Sequence, residues 1–347
     1  MGADHNLGQK ISLLASRGIN ILSNLMPISL AEMISSLSPL IPYYHLVSDE
    51  RVIHVCHLYQ YKNSAQFSQD VDLLCDRYNP LSIQDLVDTV KHGKELKRES
   101  FILTFDDGFS QNYSVVAPIL IRKGIPAIFF LNTDFIDNKA LSYKNKASIL
   151  IDFLLSNESF FYKIKQSNLH MLDVPFADMP KSILSIRYNE RGVLERLAKS
   201  CGIDYGEYLQ KNQPYLDRAQ IRKMIGMGFY FGAHSMDHPL YAELNLEKQL
   251  SQTIGSLELM KREFDLPYSL FAFPHNDTLV GKEFFNKIRN YADLTFGTAG
   301  FKIDSIAMNL QRINFEKTLE PAKKILKREH IKKIIYRALR RERIVRV

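Results

Sequence analysis

Ser100-Phe101-Ile102-Leu103-Thr104-Phe105-Asp106-Asp107-Gly108-Phe109 is the stretch on which the fold of this chain turns. Six mostly apolar residues run into two carboxylates and a glycine, the composition of a buried strand that stops at a turn. Beyond it, Val115 to Lys123 has helical character and Gly124 offers a C-cap. Ala127 to Leu131 is a second apolar strand, ending at Asn132-Thr133. Strand, helix and strand with short connections make the repeating unit of a parallel α/β sheet.

The same unit recurs on both sides. Leu40 to Val47 reads as a strand, Ala65 to Tyr78 as a helix with Phe67, Val71 and Leu74 on one face, and Ser82 as the cap of a helix over 83–90. After a largely helical insertion over 138–216 come a helix over 217–227, a strand over 229–233 and a long helix over 246–264. Strands follow over 270–273, 293–296 and 310–315. Residues 1–39 form a helical extension split at Pro27, residues 40–316 the main domain, and residues 317–347 a basic tail.

Of the 347 residues, 46% are hydrophobic and 24% charged, ordinary values for a globular chain able to bury a large core. Cys56, Cys75 and Cys201 are odd in number and widely spaced, which argues against a disulfide framework. No signal-peptide core or transmembrane run is visible, so the expected location is cytoplasmic. The net charge of +7 belongs to the tail, where twelve Lys/Arg face three Glu and leave the remainder at −2. A whole-protein nucleic-acid binder is therefore not expected.

Several strands end in polar residues: Tyr44-His45, Asp106-Asp107, Asn132-Thr133, His234 and His275. Active sites of parallel βα architectures collect at the carboxyl ends of strands. Asp106-Asp107-Gly108 alone is compatible with an ordinary turn, but adjacent carboxylates repel unless a cation or shared proton relieves them. His234-Ser235-Met236-Asp237-His238 supplies two imidazoles four residues apart that can converge on one ion. An Asp and two His leave a coordination position open, as hydrolytic sites require, whereas structural zinc sites are thiolate-rich. Ser235 and Asp237 read as loop-shaping residues. His54 and His57, which flank Cys56, read as structural or solvent-facing.

Leu103-Thr104-Phe105-Asp106-Asp107-Gly108-Phe109, followed by Asn112-Tyr113, Pro118-Ile119-Leu120, Gly124-Ile125-Pro126-Ala127 and Phe129-Phe130-Leu131, resembles the first motif region of polysaccharide deacetylases. His234 to Pro239 is similar to that family's second motif and Phe271-Ala272-Phe273-Pro274 to its third. Tyr43 to Val47 and Leu310 to Ile313 match weaker flanking features. The resemblance, over about 40–316, implies a distorted (β/α) barrel of about seven strands. It implies removal of acetyl groups from N- or O-acetylated sugars with zinc or a similar divalent ion, cobalt, nickel and manganese being open on ligand chemistry. By position Asp107, His234 and His238 would be ligands and Asp106 the base that activates water. The metal and the backbone N–H of His275 would hold the oxyanion.

Two family features are missing. Ala272 and His275 stand where many members carry an arginine and a tyrosine, and the late Leu-x-His that often supplies the general acid is absent. Arg312 could orient the base instead, or make a surface salt bridge. His275 and His45 are the candidates for the acid. The missing features also leave open a metal-binding glycan-recognition pseudoenzyme, or an amidohydrolase acting on a non-sugar amide. In the tail, Ile325, Leu326, Ile331, Ile334, Ile335, Ala338 and Leu339 form an apolar stripe among basic residues. It reads as a helix docked on the barrel or as a contact to the inner membrane surface.

Overall fold

The computed structural model describes residue 19 and residues 26–35, 39–96, 99–165, 173–316 and 318–347. Eight short strands form one parallel sheet: β1 (Pro42–Tyr44), β2 (Leu103–Phe105), β3 (Ala127–Leu131), β4 (Tyr230–Ala233), β5 (Leu270–Ala272), β6 (Leu294–Gly297), β7 (Asn309–Gln311) and β8 (Ile313–Asn314). Their order is β7-β6-β5-β4-β3-β2-β1-β8. β7 pairs with β6 and β8 with β1. The run expected as one last strand is thus divided at Arg312 and serves both edges of the sheet. Seven strand positions therefore nearly close into the distorted (β/α) barrel.

Every residue of β1, β2, β3, β5 and β6 is buried, as expected of parallel strands covered on both faces. Register puts Tyr44 beside Phe105, Phe105 beside Phe129 and Phe129 beside Phe231. Their rings stack in a row at centroid distances of 5.7, 5.0 and 5.5 Å. This face shares a core with Phe67, Leu257, Met260 and Phe264 of the surrounding helices. The alternate residues Ile102, Ile128, Phe130, Leu270, Ala272, Leu294 and Phe296 build a separate core on the opposite face. The period of two then carries Thr104, Asp106, Asn132 and His234 toward that second face, at the carboxyl ends of their strands. Gly232 lets β3, β4 and β5 approach closely there, since a Cβ would stand 2.7 Å from the Phe130 ring and 2.8 Å from the Leu270 carbonyl oxygen.

Local chemistry sets the helix ends. Asn63 with Gln66 and Asp217 with Gln220 form capping boxes, Ser82 and Asn245 cap through their side chains, and Gly124 ends its helix in the left-handed region. The insertion carries helices Tyr143–Ser156, Glu158–Lys165, Met179–Leu184, Gly192–Ser200 and Tyr205–Asn212 around a core of its own. It meets the barrel through Leu46, Phe109, Phe135, Leu141, Tyr205 and Tyr215, beside the loops that follow β1, β2 and β3.

Three details depart from the sequence reading. Ser100–Phe101 pairs with Asn79–Pro80, so the strand expected over 100–105 is divided between two sheets. The helix after β2 begins with a π-helical turn over Asn112–Val116. The structure adds a helix over Lys282–Ile288 and a strand pair joining Ile303–Asp304 to Arg343–Ile344. Most of the helical extension expected before residue 39 lies outside the described residues, apart from Ile28–Ser35 after Pro27.

The basic tail is the helix Ala322–Ala338. It packs on Ile28–Ser35 and Ser64–Arg77, burying Ala322, Ile325, Leu326, His330 and Ile331. Much of the apolar stripe is therefore already covered by protein. Among the described residues, no helix is long and apolar enough to cross a membrane.

Candidate active site

Three loops at the carboxyl ends of β2, β4 and β5 build the site. After Phe105 the chain turns sharply at Asp106-Asp107-Gly108, with Asp107 at φ 67° and Gly108 at φ 68°. A Cβ on Gly108 would lie 2.7 Å from Leu131 Cδ2, so the turn needs glycine for both conformation and space. After β4, Ser235 and His238 also take positive φ values of 68° and 64°, and His275 after β5 takes 59°. Non-glycine residues in this region carry strain of about 1–3 kcal/mol each and persist where surrounding structure holds them. Here Ser235 Oγ accepts the His238 amide at 3.1 Å, while Asn132 donates its side-chain amide to the His234 carbonyl. Asp237 accepts from Gln252 at 2.9 Å and from Tyr188 of the insertion. Ser235 and Asp237 are thus seen shaping the loop.

Asp107, His234 and His238, read from motifs far apart in sequence, converge. One ligand atom from each lies within 4.8 Å of the others. His238 Nε2 is 3.1 Å and His234 Nε2 3.6 Å from Asp107 Oδ1. The His234 ring places Nδ1 2.8 Å from the Ala272 carbonyl, the contact of an N–H donor, which leaves Nε2 as a lone-pair donor facing the site. Burial pushes the His234 pKa down to about 4, so the ring is neutral at ordinary pH. Asp107 is ionised: burial opposes its charge, but the surrounding histidines, His238 first among them, together hold its pKa below the usual carboxylate range. Asp107 Oδ1 and His234 Nε2 are buried without a hydrogen-bond partner, an arrangement expected of atoms awaiting an ion. A carboxylate oxygen and two imidazole nitrogens fit a divalent transition ion.

Asp106 lies beside this group, its Oδ2 3.9 Å from His234 Nε2. Arg312 grips both its oxygens, at 2.7 and 2.8 Å, and also reaches Thr104 Oγ1 at 3.2 Å. The guanidinium is fully buried between the rings of Tyr43 and Phe130, 4.8 and 5.4 Å from their centroids. The surface salt bridge weighed for Arg312 is not what forms. Burial would raise the Asp106 pKa, but the Arg312 guanidinium, through its charge and its hydrogen bonds, opposes that and the carboxyl lies below its ordinary value. A carboxylate that stays charged in a dry site needs such a partner.

The two histidines considered for proton donation differ. His275 is exposed, its ring 4.6 Å from that of His238, and its carbonyl accepts from Thr298. His45, after β1, pairs through Nδ1 with Glu316, whose other oxygen accepts the His45 amide at 2.8 Å. Burial works against a charged His45, yet Glu316 overcomes it, and Asp107 and Asp106 add to the effect, raising the pKa to about 9. Glu316 was missed in sequence. The available signal was its position just beyond the last strand, where other strands carry their reactive residues.

Residues 93–289 match the family described as polysaccharide deacetylase. Comparison with curated proteins returned no significant match. Among solved structures, the Streptococcus pyogenes deacetylase PplD in complex with acetate aligns with a TM-score of 0.53 at 15% identity, over 82% of this chain and 95% of that one. IcaB from Ammonifex degensii aligns with a TM-score of 0.51 at 14% identity, over 83% and 96%. A de-N-acetylase from Aggregatibacter actinomycetemcomitans aligns with a TM-score of 0.51 at 15% identity, over 83% and 98%. At such low identity these neighbours speak for the barrel, while the family match spans more than half of the sequence and includes both Asp106-Asp107 and His234 to His238. On that match, the chain belongs to the polysaccharide deacetylase family, hydrolases of the C–N bond in acetylated sugars.

Proposed function

We propose that this protein hydrolyses the acetyl group of an N-acetylated sugar with a divalent ion held by Asp107, His234 and His238. When bound there, the ion would lower the pKa of a water and polarise the acetyl carbonyl. Asp106, kept ionised and fixed in direction by Arg312, takes the proton from the attacking water. The backbone N–H of His275, at the turn after β5, is the candidate second donor to the oxyanion. His45, protonated at neutral pH by its pairing with Glu316, gives a proton to the leaving amine. This assignment favours His45 over His275, for which the described contacts offer no carboxylate partner.

The bidentate Arg312–Asp106 pair, buried next to three convergent ligand atoms, carries the reading. It also weighs against a pseudoenzyme, because binding a glycan gives no reason to hold a second, ionised carboxylate outside the ligand set. A precursor of a surface glycan fits the location expected from sequence.

The test is acetate release from a panel of N-acetylated and O-acetylated oligosaccharides with zinc or cobalt added. Asp106→Asn should cost about 10²–10⁴-fold in kcat while metal binding stays within error. Turnover unchanged in Asp106→Asn would remove the base from the mechanism. Stoichiometric metal with no acetate from any substrate would return the pseudoenzyme.

A further inference from the structure

A second group of metal-ligating side chains stands away from the site described above. Cys56 and His57 lie on the loop after β1, and Asp152 lies on the insertion's helix Tyr143–Ser156. Their ligand atoms fall within 4.8 Å of one another. His57 Nε2 is 3.0 Å from Asp152 Oδ1, close to the roughly 3.3 Å between two ligands each about 2.0–2.1 Å from one tetrahedral ion.

The juxtaposition is built. Asn145, Ser148 and Asp152 share one face of the helix, and the first two pin the loop to it. Asn145 donates to the His54 carbonyl at 2.7 Å, and Ser148 Oγ donates to the Ile53 carbonyl at 2.6 Å while accepting the His57 amide at 3.3 Å. Asn145 and Ser148 are buried, whereas the His57 and Asp152 side chains keep 17% and 19% exposure, so an ion could reach them from solvent. His54 stands outside this group, its Nδ1 engaged with the Tyr208 hydroxyl at 3.0 Å.

We propose that Cys56, His57 and Asp152 form a second metal site, selective for a thiophilic divalent ion such as zinc or cobalt over magnesium or calcium. Sulfur, imidazole and carboxylate together favour such ions, and three protein ligands leave a position for water or another donor. On binding, the Cys56 thiol gives its proton to solvent and the sulfur takes the ion in its place. Arg51, which also pairs with Asp152 and is largely exposed, swings out to water. The ion would then tie the insertion to the loop whose Tyr59 packs on His45, 5.0 Å between ring centroids.

The catalytic ligand set contains no sulfur, so a thiolate-to-cobalt charge-transfer band reports on this second site alone. Cobalt(II) is titrated into the chelator-treated, reduced, full-length protein. The expected result is two ions per chain and a near-ultraviolet charge-transfer band that persists in the Cys75→Ser/Cys201→Ser double variant. Cys56→Ser should lose the band and one ion, and Asp107→Asn should lose the other ion while keeping the band. Asp152→Asn, which preserves the size of the side chain, should shift half-maximal band formation to higher cobalt. Absence of the band from the wild-type protein, or its survival in folded Cys56→Ser, overturns the proposal.

Discussion

At the residue scale, the site is a set of charges that would be costly to bury singly and are tolerable together. Arg312 is enclosed among Asp106, Thr104, Tyr43 and Phe130, so neither it nor Asp106 loses water without gaining a partner. The His45–Glu316 pair follows the same logic with a titratable cation and gives a pH prediction. In the wild-type protein His45 holds its proton up to about pH 9, so kcat/KM should fall only above that. In Glu316→Gln the burial effect is left unopposed by the carboxylate. The His45 pKa should drop to the ordinary imidazole range or below, and the alkaline limb of the pH–rate profile should move down by two or more pH units. The stability sign agrees: a folded pKa raised above the unfolded value stabilises fully below about 6.5 and is lost as pH rises through about 9. An alkaline limb unmoved in Glu316→Gln would take His45 out of the acid role. Asp107, His234 and His238 were readable in sequence because each belongs to a short motif with a local signature. Glu316 was harder to read, because its place just beyond the last strand marks it only weakly and its partner lies 271 residues away.

At the scale of elements, the turn after β2 decides whether Asp107 can reach the two imidazoles. Gly108→Ala puts a methyl 2.7 Å from Leu131 Cδ2 at a φ of +68°, so the turn or Leu131 must shift. The expected cost is about 1–3 kcal/mol of stability, read from the denaturant midpoint, together with weaker metal binding by calorimetry. A variant with wild-type affinity would show that the turn does not position the ligand. The strands and long helices were legible because apolar periodicity and capping residues are local signals. The two divided strands were not legible. Ile102 leaves the first pairing to donate its amide to Leu40 at 3.1 Å, and the Arg312 amide bonds to Gly297 at 3.2 Å between β7 and β8. Both breaks are imposed by distant backbone rather than by a Gly or Pro in the run.

At the scale of the whole molecule, the basic tail that sequence could place either on the barrel or at a membrane acts as a clasp. Beyond helix Ala322–Ala338, Arg343–Ile344 pairs with Ile303–Asp304, and the Arg346 guanidinium enters a buried pocket between Asp277 and Asp304. Asn309 and Gln311 of β7 donate to the same Asp277 oxygen at 2.8 and 2.9 Å. The loop that carries His275 is therefore fixed from two sides, by the closing strand and by the tail. Burial would raise the Asp277 pKa, but Gln311 and Arg346 hold it down, so this stabilisation is present above the unfolded carboxylate value and fades as pH falls. Arg346→Gln leaves two carboxylates, each at most 3% exposed, without their cation, and about 3–5 kcal/mol of stability should be lost at neutral pH. Adding Asp277→Asn removes one of the stranded charges, so the double variant should be more stable than Arg346→Gln alone. Denaturant midpoints of the two single variants and the double variant measure the coupling. If the two losses simply add, the clasp is packing rather than charge. If they couple, the tail's positive charge is part of what holds the His275 turn beside Asp107, His234 and His238, and its removal should lower turnover together with stability.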